Sequence, residues 1–285
     1  MSQIDLFVVH WNQPASCVAT VNALCDQKIP LRVTVIDNDS EAESFQQLQR
    51  ELDPSVALVR LDSNKGWGGA LNVVLRRWMH EATNPYCFVS AHDARPNPDC
   101  LRLLVAAADA NPRVGIACSQ YPDPFVVRLS RWRGVYPQAV EPLARGLAQE
   151  VDVPHGTLML LRRECLDEIG LFDQRYFAYG DEHELGIRAV RRGWKVVLVW
   201  GSIVTNPETR TASLWRSYLF ARNSLFLVHD YFGRTAAALR ALLILINTAR
   251  LGACRHNHEF AFSARARWRA VRDYFTGRTG RPAAQ

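Results

Sequence analysis

A chain of 285 residues that is 48% hydrophobic and 22% charged can bury a substantial core, as one large domain or two small ones, which argues against a disordered or fibrous protein. Its seven cysteines are odd in number and include no C-x-x-C pair, which argues against a disulfide framework or a cysteine zinc site and for a reducing cytoplasm. The net charge of +6 rests on 31 arginines and three lysines, with much of the excess after residue 210; such a surface attracts nucleic acid, anionic lipid or phosphorylated substrates alike.

The first hundred residues alternate strand and helix. Residues 4–10 are an apolar run beside Asp5 and read as a first strand rather than a signal peptide. Residues 14–27 have helical spacing. Residues 31–36 read as a second strand that stops at the polar turn Asp37-Asn38-Asp39-Ser40. A helix is expected over 41–52 and a third strand over 56–61. The glycine-rich stretch 64–69 reads as a turn into a helix over 70–81, and 87–91 as a fourth strand ending at His92-Asp93. This order predicts an α/β fold with a mainly parallel sheet and helices on both faces. Ligands bind such sheets beyond the carboxyl ends of the strands, where Asn12, Asp37 to Ser40, residues 64–69 and His92-Asp93 all fall. Each cluster is by itself compatible with an ordinary turn or helix cap.

Residues 120–152 are the least patterned. The tract 153–186 then gives a small-residue turn at His155-Gly156, an apolar strand over 157–161, a basic turn at Arg162-Arg163, and an aromatic loop ending in Asp181, Glu182 and Glu184. Carboxylates packed this closely repel one another, so they belong in solvent or beside a cation, a metal or a transferable proton.

Taken together these pieces resemble the family-2 glycosyltransferases of the GT-A fold, in particular their bacterial rhamnosyltransferase-like branch. The resemblance rests on Val8-Val9-His10-Trp11-Asn12, on Val35 to Ser40, on Asn64, Gly66, Trp67, Gly68, Ala70 and Asn72, and on Asp93-Ala94-Arg95-Pro96. It continues from Gly156 through Arg188 and ends with Tyr218, Arg222 and Asn223. It implies an inverting transfer of a sugar from a nucleotide-diphosphate donor to a hydroxyl of a glycan, lipid-linked or natural-product acceptor. It places Asn12, Asp37 and Asn38 at the nucleotide, Asn64, Gly66, Trp67 and Asn72 around the sugar-donor pocket, and His92 and Asp93 at the diphosphate and its Mg²⁺ or Mn²⁺. Glu182 falls on the family's catalytic base, with Asp181 in reserve, and Glu184 and Arg188 on the acceptor side or on a helix anchor. Two positions depart from the pattern. Ala91 stands where the D-x-D motif has its first acid, and the stretch 204–208 lacks the family's later histidine.

The expected division is a catalytic domain over 1–228, with a sugar-donor half to about 119 and an acceptor half after it, followed by a helical extension over 229–285. Residues 235–251 form a helical run interrupted by Arg240 and Arg250, whose apolar core is far short of the roughly 20 residues needed to span a bilayer. Its apolar face is expected to be covered by the catalytic domain or a second copy of the chain, with at most peripheral membrane contact. Arg265, Arg267, Arg269 and Arg272 suggest a basic face before a frayed end. A cytoplasmic enzyme is expected. The alternatives are a sugar-nucleotide-binding protein with weak turnover and a nucleic-acid-binding protein; the aromatics form no stacking module that favours the latter.

Overall fold

The computed structural model describes residues 3–81, 83–207, 213–253 and 263–282. Strands β1 (Ile4–His10), β2 (Leu31–Asp37), β3 (Ala57–Arg60) and β4 (Tyr86–Ala91) alternate with helices α1 (Pro14–Cys25), α2 (Ala42–Glu51) and α3 (Trp67–Glu81). After the short β5 (Arg95–Pro96) come α4 (Cys100–Ala110) and β6 (Val114–Gln120). Strands β7 (Phe125–Ser130) and β8 (Gly134–Ala139) form a separate hairpin, so the least patterned stretch of the sequence contains regular structure. Then follow β9 (Ala148–Glu150), β10 (Leu158–Arg162), α5 (Arg163–Ile169), α6 (Asp181–Arg191) and β11 (Lys195–Thr205). Helices α7 (Ser213–Phe232), α8 (Arg234–Ala253) and α9 (Ala264–Phe275) complete the described chain.

The sheet order is β3-β2-β1-β4-β10-β6-β11-β5, with β9 added to β11. Strands β1 to β4 are parallel, as their intervening helices require. Strand β10 runs antiparallel to both β4 and β6. The chain reaches it from β6 through the β7–β8 hairpin and β9, with no helix between. Both faces are covered: along β1, Phe7 and Val9 enter one core and Leu6 and Val8 the other. This explains why the strands read as continuous apolar runs.

Two local expectations are corrected. Arg162 is not in a turn but is the buried last residue of β10. Its guanidinium donates to the carbonyls of Val114 at 2.7 Å and Ala108 at 2.6 Å, satisfying an acceptor left over at the end of α4. Arg163 opens α5. Helix α3 starts at Trp67, so only residues 64–66 remain as a turn, with Gly66 at φ +78°.

Helix α7 crosses the border expected at residue 228 without a break. Helices α7, α8 and α9 pack together around Tyr218, Leu225, Ile244 and Ala270. Among the arginines of α9, Arg269 is largely buried against Asp273, whereas Arg272 pairs with the same carboxylate and stays exposed, as does Arg265. The frayed end expected beyond Pro282, and Glu208 of the stretch without histidine, lie outside the described residues. Among the described residues no helix is long and apolar enough to cross a membrane.

Candidate active site

At the end of β1 and β2, His10 and Asp37 are both fully buried. The backbone N–H of Gln13 donates to His10 Nε2 at 3.1 Å, so the ring proton sits on Nδ1 and is donated to Asp37 Oδ1 at 2.9 Å. The amide of Ser40 donates to Asp37 Oδ2, and the Arg60 guanidinium lies 3.6 Å from the same oxygen. Burial by itself raises the Asp37 pKa, but the hydrogen bonds from His10 and Ser40 outweigh it and hold the carboxyl below its ordinary value. Asn12, at φ +53°, accepts the amide of Glu41 at 2.8 Å and gives its own amide to Ser40 Oγ. The two strand ends are thus tied into one rigid floor.

Asn38 continues that floor. Its Nδ2 donates to Asn64 Oδ1 and to the Gly66 carbonyl, and its Oδ1 accepts the amide of Lys65. Gly66 has no room for a side chain, since a Cβ there would lie 1.9 Å from the Phe177 carbonyl oxygen. That same oxygen accepts the amide of Trp67. Asn72 is buried deeper, with its amide donating to the carbonyl and accepting the N–H of Phe172. It joins α3 to the loop before α6.

At the end of β4, Asp93 is buried and accepts from Asn206 Nδ2 at 3.0 Å. Asn206 Oδ1 is buried beside it without a hydrogen-bond partner. His92 is linked through Nδ1 to the Val9 carbonyl and meets His10 edge-on at 5.8 Å. Burial pulls its pKa down. The His92 carbonyl is in turn held by Thr20, which also receives Arg95. Carboxylate and amide oxygens suit a hard divalent cation, and a neutral imidazole adds one nitrogen. Among the described residues, however, no three His, Cys, Asp or Glu side chains converge as a metal-binding group. The set present is the modest one that suffices for a cation bound mainly by diphosphate and water.

The carboxylates that open α6 occupy three different environments. Asp181 is 1% exposed. Its Oδ2 accepts the amide of Gly68 at 2.7 Å, and its Oδ1 has no hydrogen-bond partner. Burial, and then the charge of Glu182, push its pKa well above the carboxylate range. The Glu182 side chain is 14% exposed, accepts the amide of Gly180 at 2.9 Å, and lies 3.5 Å from His183. It approaches Gly156, where a Cβ would lie 3.4 Å from both Glu182 Cγ and the Trp67 ring. Glu184 is buried and holds the Arg188 guanidinium with both oxygens, at 3.0 and 2.6 Å, while accepting the Tyr231 hydroxyl. Arg188 also donates to the carbonyls of Ile169 and Leu171.

The loop leading into these acids is strained. Phe177 and Tyr179 have φ of +67° and +62°, each at a cost of about 1–3 kcal/mol. Asn223 of α7 compensates by donating to the carbonyls of Tyr176, Ala178 and Tyr179 within 3.0 Å. Arg222 binds the Tyr176 and Gly280 carbonyls. The sequence motif around Tyr218 is therefore a brace for the loop.

Several residues at the site escape a linear reading. Tyr121 stacks on His155 at 4.3 Å and shares a 2.6 Å hydrogen bond with Thr157. Its pKa is pushed up to about 12 by burial, with the charges of Glu182 and Asp93 adding to it. His155 and His183 are pulled down to about 4 by burial and are neutral at physiological pH. None of these has a spacing signal, although His155 opens the small-residue turn of the tract.

The sequence matches the family described as Glycosyl transferase family 2 over residues 5–170. It is 28% identical over 247 residues to an N-acetylglucosaminyl-diphospho-decaprenol L-rhamnosyltransferase of Mycobacterium tuberculosis, covering 74% of this chain and 79% of the relative. It is 25% identical over 229 residues to a low-salt glycan biosynthesis hexosyltransferase of Haloferax volcanii, covering 75% of this chain and 73% of that one. In structure it resembles a mannosyltransferase of Pyrobaculum calidifontis solved with GDP-Man and Mn²⁺, with a TM-score of 0.61, 17% identity, and 96% and 87% of the two chains covered. It also resembles GalNAc-T7 solved with UDP, GalNAc and Mn²⁺, with a TM-score of 0.63, 13% identity, and 96% and 56% covered. These two likenesses establish the fold. The sheet, the strand-end site and the match over more than half of the sequence lead to one conclusion: the chain belongs to glycosyl transferase family 2 and is a GT-A glycosyltransferase that moves sugar from a nucleotide-sugar donor.

Proposed function

We propose that the enzyme inverts the anomeric centre as it moves a hexosyl or deoxyhexosyl group from a UDP- or dTDP-sugar to a hydroxyl of a glycan, lipid-linked or natural-product acceptor. The observation that carries this reading is the unlike setting of two neighbouring carboxyls. Asp181 is buried with its pKa pushed well up, whereas Glu182 is partly open and seated against Gly156 and Trp67. Carboxyls whose environments push them apart divide acid and base roles. Glu182 takes the proton from the acceptor hydroxyl, the hydroxyl oxygen bonds to C1, and the C1–O bond to diphosphate breaks with its electrons leaving on the nucleoside diphosphate. A single displacement on the face opposite the leaving group inverts C1. Asp181 keeps α3 and α6 in register.

Asn12, Asp37, Asn38 and residues 64–67 form the nucleotide and sugar pocket, with Asn72 positioning it from behind. Glu184 and Arg188 anchor α6 to the preceding loop. A Mg²⁺ or Mn²⁺ ion would be held by Asp93, with Asn206 and His92 beside it. When bound it would neutralise charge on the leaving diphosphate. Residues 1–119 are the sugar-donor half and about 120–228 the acceptor half; Arg222 and Asn223 make the start of α7 part of the latter. The relatives named for rhamnosyl and hexosyl transfer support a hexose or deoxyhexose donor.

The test is Glu182→Gln, which keeps shape and hydrogen bonding but removes basicity. Turnover should fall on the order of 100-fold or more with sugar-donor affinity unchanged. Near-normal turnover would move the role to Asp181. Absence of nucleoside diphosphate release by the wild type with every sugar nucleotide would favour a binding protein.

A further inference from the structure

The helices after the catalytic sheet carry a surface that nothing in the chemistry above requires. Within the described residues 213–253 and 263–282 there are eleven arginines, no lysine and two carboxylates, Asp230 and Asp273. Asp273 is 2% exposed and shared by Arg269, Arg272 and Arg278, and Asp230 pairs with Arg175, so the arginines of these described residues far outnumber the carboxylates that offset them.

Apolar side chains lie open on the same unit. Helix α8 buries Ala237, Ala241 and Ile244 against its neighbours, yet Leu239, Leu242, Leu243 and Ile246 on its other side are 37–52% exposed. A helix apolar on both sides requires a cover on both sides. On α9, the exposed residues Arg265, Trp268, Arg272 and Phe275 follow helical spacing and make one stripe in which arginine alternates with an aromatic ring. The tip of the β7–β8 hairpin repeats the pattern, with Arg131 over the ring of exposed Trp132 at 4.5 Å and exposed Arg133 over the ring of Tyr136 at 4.0 Å.

These three elements meet. Arg240 of α8 donates to the Trp132 carbonyl at 3.2 Å. It also feels the charge of Arg267 on α9, which adds to burial in pulling the Arg240 guanidinium down to about 10. Its Nε is buried without a hydrogen-bond partner. The Arg240 guanidinium therefore sits where α8, packed against α9, meets the hairpin.

We propose that this junction and the outward sides of α8 and α9 are a docking face for an anionic phospholipid bilayer. The charge decides among occupants. Two copies of the chain meeting through this face would set arginine against arginine, whereas phosphate headgroups complement it. The aliphatic row on α8 suits acyl chains and has no use on a nucleic acid, and tryptophan with arginine is the composition of an interfacial contact. The face holds whatever sugar is moved, and it extends the earlier expectation of protein cover, which the described chain supplies on only one side of α8.

The test is sedimentation of the full chain, without sugar nucleotide, with vesicles of phosphatidylcholine alone or mixed with phosphatidylglycerol. Binding is expected with the mixed vesicles and weakens with salt. Each of three double variants should reduce it on the order of tenfold or more: Arg265→Glu with Arg272→Glu, Arg131→Glu with Arg133→Glu, and Leu242→Ser with Ile246→Ser. Because the pairs lie on three elements, loss of folding in one, read by circular dichroism, leaves the other two decisive. Failure of the wild type to bind mixed vesicles, or equal binding by all folded variants, overturns the proposal. So does dimerisation of the wild type through Leu242 and Ile246 without vesicle binding, or duplex RNA binding that persists in the aliphatic variant while vesicles are ignored.

Discussion

Asp181 reaches across 113 residues to accept the amide of Gly68 in the first turn of α3. This places a carboxyl at the positive end of a helix while burying it beside Glu182. One hydrogen bond thus links the first turn of α3 to the acids that open α6.

Gly68→Ala tests that link directly. The new Cβ would lie 2.7 Å from both Asp181 Oδ2 and the Cβ of Phe172. Overpacking of this kind costs about 1–3 kcal/mol. We expect a lower melting temperature by calorimetry together with a loss of turnover, since the same contact sets the place of Glu182. Unchanged turnover in a destabilised variant would separate the two effects.

Asp181→Asn should make stability respond differently to pH. The raised folded pKa of Asp181 means that the native state binds a proton which the unfolded chain releases near 3.8. Its contribution is fully present below that pH and is lost as pH rises toward the folded value. Asparagine still accepts from Gly68 but carries no such penalty. The variant should therefore gain stability relative to wild type as pH rises from acid to neutral, read by thermal melts in a buffer series. A difference that stays constant with pH would show that Asp181 is ionised in the fold.

Asn223→Ala removes the donor shared by the carbonyls of Tyr176, Ala178 and Tyr179. The loop then holds positive φ at Phe177 and Tyr179 with less to fix it. Destabilisation of at least about 2 kcal/mol is expected. Hydrogen exchange should quicken in this loop first, and kcat should fall more than sugar-donor affinity. Uniform exchange across the fold would contradict a local brace.

Asp93→Ala should weaken divalent-metal-dependent binding of a nucleoside diphosphate, measured by calorimetry with and without Mn²⁺, and lower turnover with it. Full activity in excess chelator would leave arginines as the stabilisers of the leaving group. Asn206→Ala should shift the metal dependence in the same direction, because Asn206 is the partner of Asp93.

The first strands were legible because a parallel strand buried on both faces is apolar along most of its length, as residues 6–9 of β1 are. The polar clusters at their ends were legible because a strand end is where such a run has to stop. Arg162 was misread because, in sequence, a pair of arginines looks solvent-exposed; only the fold brings the carbonyls of Val114 and Ala108 within reach of one of them. Asn206 was read only as a missing histidine, although it stands beside Asp93.

The order of strands and helices, the family motifs and the acid cluster were determined by the sequence, since they depend on neighbours within a few positions. Which acid is buried and which stays open was decided by tertiary structure alone. Asp181 and Glu182 are adjacent and chemically alike, but packing against Gly68 buries Asp181 and raises its pKa, while the Glu182 side chain stays 14% exposed.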